Sequence, residues 1–288
     1  MATALALLAS LLWGTADFLG GTASRRLSAV SVVCVSQAVA LASLLVVAVA
    51  VDGFDAGSGY VGWALAASVV GIVALTAFYA ALAEGTMGVV APIAAIGVVV
   101  PVSVGVAAGD RPGVWQAVGV VAAFVGVVLA AGPQRGEGDR DRPARRAARR
   151  PLVLAGVAAV GFGAVLVCVA HGARSSTIMT LLLMRAASVT LLVALALVGA
   201  VTIAASTRDL PLLAVIGAGD VGANAAMAVA STRGLLSVVA VLSSLYPAVT
   251  VVLARTVHGE RLQRVQAAGV VVTLIGVTLI ASGGGVGG

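Results

Sequence analysis

The sequence predicts an all-α integral membrane protein, with ten transmembrane helices arranged as two inverted five-helix repeats. Three observations carry that expectation. Hydrophobic residues make up 61% of the 288-residue chain and charged residues 10%, whereas a soluble domain carries about 25% charged residues. Ten apolar runs approach the roughly 20 residues that cross a bilayer. One block recurs, and a single long polar linker divides the runs five and five.

The runs fall at 2–22, 28–51, 61–83, 86–108, 113–131, 151–170, 176–206, 210–230, 234–255 and 264–282. The first has no basic stretch ahead of it and is interrupted by Asp17, so it reads as a span and not a cleaved leader. The breaks are short and carry turn chemistry, as in GDRPG and HGERLQR. The exception is 133–150, which holds seven Arg, three acids and no large apolar residue, and reads as a solvated, disordered linker. The expected units are therefore 1–132 and 151–288, joined by 133–150.

Residues 81–131 reappear as 227–281. Pro101 falls on Pro247, Gly109-Asp110 on Gly259-Glu260, Gln116 on Gln266, Gly119 on Gly269 and Gly126 on Gly276. The proline lies eight residues before the Gly-acid pair in one copy and twelve in the other, a difference of four, or about one helical turn, so phase is nearly kept. Because five is odd, the second unit enters the membrane upside down. Inverted repeats with a site between them are the architecture of many secondary transporters.

A proline inside a helix lacks an N–H and crowds the carbonyl four residues earlier. Pro101 and Pro247 should thus kink their helices and loosen the backbone at Gly97 and Ser243. Such backbone at membrane depth is tolerated where it lines a wet cavity or is buried in protein. We read a midplane cavity between the fourth and ninth spans, with a satisfied packing kink as the alternative.

Asp17, Arg185 and Asp220 lie well inside apolar runs. Each costs about 2.5–3.5 kcal/mol at a helix centre, so such residues face the bundle interior. Trp13 and Asp17 share one helix face, as do Asp220 and Asn224, and Arg185 and Ser188. Two acids face one arginine. If Arg185 neutralises one, the surplus acid is available to a cation, a substrate amine or a proton.

Other features read as structural. Gly217-Ala-Gly-Asp-Val-Gly222 matches a dinucleotide fingerprint but sits inside a helix-length apolar run, where small residues let helices pack. His171 and His258 lie at span ends and read as interfacial polar residues, and Glu84 and Glu260 as helix-end groups. Trp63, Trp115 and Tyr60 are interfacial anchors, and Cys34 and Cys168 are small apolar-facing side chains. No catalytic constellation, metal site or cofactor is expected. The positive charge is all arginine; seven of the seventeen lie in the linker and the rest are scattered, so nucleic acid is not implied.

Trp13-Gly14-Thr15 with Phe18, Phe78-Tyr79-Ala-Ala-Leu82, the paired prolines, Gly259-Glu260-Arg261 with its weaker copy Gly109-Asp110, and Arg185 together resemble the EamA-like family of the drug/metabolite transporter superfamily. The resemblance covers essentially the whole chain. Gln37 stands where that family often carries arginine, and Asp17 where an amide or small residue is usual. The resemblance implies a multi-pass carrier of the bacterial inner (plasma) membrane that moves small metabolites or amino acids, often outward.

The expected site comprises Trp13, Asp17, Gln37, Tyr79, Arg185, Asp220, Asn224, Ser243 and Tyr246. Charged groups would handle charge, amides would orient a small solute and aromatics would stack on its apolar part. The alternatives are a proton-coupled drug or cation extruder, an importer, and a non-transporting scaffold or sensor. The expected partners are a small solute and lipid, with protons as a candidate coupling ion. A monomer suffices, and a homodimer is compatible. Outside the spans, arginines 25, 26, 208, 261 and 264 join the linker's seven on one side, against 111, 174 and 233 on the other. That bias places the linker side in the cytoplasm, whereas the family usually has cytoplasmic termini. Both termini share one side in either case.

Overall fold

Apolar composition and helix-length runs produce a wholly helical chain among the described residues. The computed structural model describes residues 1–54, 57–109, 113–130, 142–233, 239 and 242–283. Its helices are α1 (Ala2–Ala23), α2 (Ala29–Ala50), α3 (Val61–Glu84), α4 (Met87–Ala95), α5 (Val99–Ala107), α6 (Val114–Ala130), α7 (Arg142–Gly172), α8 (Thr177–Leu197), α9 (Leu210–Arg233), α10 (Tyr246–Val257) and α11 (Arg264–Gly283). Seven helical segments are long and apolar enough to cross a membrane; Val114–Ala130, Tyr246–Val257 and Arg264–Ile280 are shorter apolar helices. Much of the ninth run, at 234–238 and 240–241, lies outside the described residues, as does 131–141 of the linker region.

Three boundaries differ from expectation. The linker's second half is helical, since α7 starts at Arg142 and continues through Pro151; its Ala and Arg residues are strong helix formers. The seventh run is helical only to Leu197, and Gly199 at φ +75° turns the chain out of the helix. Pro247 does not kink a continuous helix but sits in the first turn of α10, after a turn at 244–245. There its missing N–H is no loss.

Packing runs between the halves of the chain. α1 lies along α9, α3 along α7 and α6 along α11; α2 meets α8 and α9, α3 also meets α8, α1 meets α10, and α4 meets α7 and α10. Exchanging each helix for its counterpart in the other half reproduces this pairing.

The α6–α11 contact shows the exchange in detail. A Cβ on Gly119 would lie 2.7 Å from the Gly276 carbonyl oxygen, and one on Gly276 would lie 2.7 Å from the Gly119 oxygen. Gly126 and Gly269 oppose each other likewise, at 2.7 and 2.6 Å. Numbering rises on one helix as it falls on the other, so the two run antiparallel. Each glycine of the repeated block meets the counterpart of its neighbour, which is why a side chain fits at neither position.

The connections gather at two ends. At one, Ser31 Oγ accepts from Ala204 N–H at 2.9 Å, Arg25 pairs with Glu260 at 3.5 Å, and Arg150 with Glu84 at 2.8 Å. At the other, Arg233 donates to the Met1 sulfur at 3.2 Å, and Gly59 lies against Ser175. Between the ends, Leu11, Val69, Val121 and Val160 are exposed, an apolar belt suited to lipid.

Candidate functional site

The intramembrane charges converge. Arg185, on α8, donates to the Asp220 carboxylate of α9 and to the Gln37 side-chain oxygen of α2. Trp13 Nε1 on α1 donates to Asp220 at 3.3 Å, and Asn224 Nδ2 donates to the Asp220 backbone oxygen at 2.7 Å. Three helices, α1, α8 and α9, are thus tied through one carboxylate, and Arg185 joins α2 to them. The side chains of Arg185 and Asp220 are 13% and 30% exposed, and Gln37 is 8% exposed. Gln37 accepts one of the guanidinium's five N–H donors, leaving the arginine with a single acid.

Asp17 is that pair's bystander. It lies one turn after Trp13 on α1, within coulombic range of Asp220, Tyr79 and Tyr246. It forms no ion pair or hydrogen bond with the described residues, whereas Asp220 takes the arginine. Of the two acids that face one cation in the sequence, Asp17 is the one left over.

The aromatic residues are placed by glycines. The Tyr79 ring lies on Gly20 of α1, where any Cβ would strike it. Tyr246 meets Trp13 edge to face, with centroids 6.2 Å apart and planes at 67°. Gly14 admits α10 closely: a Cβ there would lie 2.5 Å from Val249 Cβ, and Thr250 Oγ1 donates to the Gly14 oxygen at 3.0 Å. Sequence reasoning missed Thr250; its signal was a hydroxyl three residues after Pro247 on a helix paired with the Trp-Gly motif. Gly163 of α7 plays the matching part in the other half, with Val100 Cβ 2.5 Å from where its own Cβ would be.

The proline expectations resolve differently. The backbone turns to 3-10 helix at Ile96–Val98, just before Pro101, and the Gly97 carbonyl is packed against Gly163 of α7. Here the loosened backbone is buried by a neighbouring helix. Ser243 is 3% exposed, and among the described residues its hydroxyl finds no hydrogen-bond partner and no bond joins it to the Asp220 network.

Elsewhere, Glu260 accepts from the N–H groups of Met87 at 3.0 Å and Gly88 at 3.0 Å, capping α4. Ser188 donates to Ser68 of α3 at 3.3 Å, Trp63 stacks on His171 at 4.5 Å, and both cysteines are free.

Among the described residues, charged and polar side chains gather deep in the bundle where α1, α2, α8 and α9 meet, as suits a membrane transporter. The profile of the EamA-like transporter family matches residues 1–132 and 149–282. The chain belongs to that family, within the drug/metabolite transporter superfamily. A solved structure titled only as the crystal structure of a protein is similar in fold, with a TM-score of 0.64 at 16% identity over 96% of this chain and 95% of that one. No curated protein matches.

Proposed function

We propose that the protein is a secondary transporter that exports small metabolites such as amino acids, by alternating access of two inverted halves, 1–132 and 151–288, around a central cavity. The observation that carries this reading is the unpaired Asp17 beside the Arg185–Asp220 pair. An acidic side chain at membrane depth without a partner costs free energy that a structural role does not require. The exchange-symmetric helix pairing supports two equivalent halves that rock against each other. Trp13, Gln37, Tyr79, Asn224, Ser243 and Tyr246 would line the solute's path, and the plasma membrane would be its site.

Asp17 also favours a second reading, a proton-coupled extruder of drugs or cations. Metabolite profiling of cells with and without the gene tests the first reading. Accumulation of amino acids inside deletion cells supports export, and an unchanged profile removes it. Purified protein in liposomes tests both, because a chain that moves neither metabolites nor organic cations would instead be a scaffold or sensor.

A further inference from the structure

Where α10 ends and the chain turns toward α11, a cavity of about 620 Å³ is lined by Gly88, Val251, Arg255, Glu260, Arg261 and Leu262, among others. None of these residues belongs to the Asp17–Asp220 site. Glu260 is fully engaged there by the Met87 and Gly88 N–H groups and by Arg25. Arg255 and Arg261 are exposed and form no hydrogen bond or ion pair with any described residue. Among the described residues, the cavity therefore presents two free guanidiniums, with its one acid already neutralised.

Its position limits the ligand. Arg255 is two residues from the end of α10, and Val252 and Val257 on the same helix are 59% and 62% exposed toward the lipid belt. The pocket thus opens beside apolar surface at the edge of the membrane, on the end that carries most of the chain's arginine. A guanidinium matches phosphate oxygens in fork geometry, and basic pockets between membrane helices bind acidic headgroups.

We propose that this cavity binds a phosphate-bearing anion, the headgroup of an acidic phospholipid, held by Arg255 and Arg261 with its acyl chains along the outer flank of α10. The lipid would brace the α10–α11 turn and, through Glu260, the start of α4.

The test uses the full chain in neutral detergent, melted with added phosphatidylglycerol, phosphatidylcholine or inorganic phosphate. Phosphatidylglycerol should raise the melting temperature by several degrees over phosphatidylcholine. Arg255→Gln with Arg261→Gln should lose most of that rise. The charge-keeping pair Arg255→Lys with Arg261→Lys should keep much of it, and Arg174→Gln at the opposite end all of it. An equal rise in the double glutamine variant would overturn the proposal. So would a full rise with inorganic phosphate alone and none added by the lipid, which would make the site one for free anions.

Discussion

Arg185 and Asp220 form an ion pair across α8 and α9, and that pairing leaves the nearby Asp17 without a counter-ion. The two acids should therefore respond oppositely to amidation. Asp220→Asn leaves the Arg185 guanidinium uncompensated at membrane depth. With Asp220 30% exposed, the loss belongs at the lower end of the about 3–5 kcal/mol that breaking a buried pair costs. Asp17→Asn removes an acid that has no partner and should leave thermal stability unchanged or higher while transport and its pH dependence are lost. Denaturation curves set beside liposome uptake separate the two effects; an active Asp17→Asn carrier with normal pH dependence would deny Asp17 its role.

Glu260 holds the first turn of α4 with both carboxylate oxygens, each 3.0 Å from a backbone N–H. Glu260→Ala removes a cap and a favourable charge at a helix N-terminus, and should destabilise the protein by about 1–2 kcal/mol. Glu260→Gln should lose less, because one oxygen acceptor survives. Chemical denaturation in mild detergent measures both, and the order of the two variants is the informative result.

Glycine substitutions should sort by what faces them. Gly119→Ala and Gly276→Ala place a methyl group within 3 Å of opposing backbone atoms and should each cost about 1–3 kcal/mol or force α6 and α11 apart. Gly62→Ala meets nothing within 4 Å and should be neutral or mildly stabilising. Melting temperatures of the three variants compare the predictions directly.

These contacts also mark how far the sequence could be read. Helical phase placed Trp13, Asp17, Arg185, Asp220 and Asn224 on interior faces, since a charge in an apolar run has nowhere else to go. Periodicity could not say which acid the arginine takes, because Asp17 and Asp220 lie on helices related only by tertiary packing. It also missed Glu260's reach back to Met87, a contact 173 residues away in the chain. Pro247 misled for a local reason: Ser243-Ser244-Leu245 holds no glycine, proline or charge, so the turn at 244–245 left no compositional mark.

His258 follows α10 directly and is hydrogen-bonded to Thr22 at 2.9 Å, with Phe18 beside its ring at 5.0 Å. Burial and the Arg25 charge push its pKa below the ordinary 6.5, against a smaller upward pull from Glu260. As pH falls below that ordinary value, the unfolded chain takes up a proton before the folded one does. The histidine's contribution is therefore complete above 6.5 and is lost as pH falls toward the lower folded value. His258→Gln should flatten the acid side of the stability profile, read as melting temperature from neutral pH downward. An unchanged slope would show that another group sets it.

The two clusters of connections predict sidedness that can be labelled. Arg26 and Thr207 are exposed at the end where Ser31 meets Ala204, while Gly57 and Ser175 are exposed at the end where Gly59 meets Ser175. In a chain with Cys34→Ala and Cys168→Ala, single cysteines at the first two positions should react with an impermeant thiol reagent from one side only. Cysteines at the other two should react only from the opposite side. Arginine is concentrated at the first end, so labelling of Arg26→Cys and Thr207→Cys is expected only after the membrane is opened or inverted. Labelling of those two in intact cells would mean that this chain defies its own charge bias, and labelling of all four from one side would mean that the bundle does not span the bilayer as its packing requires.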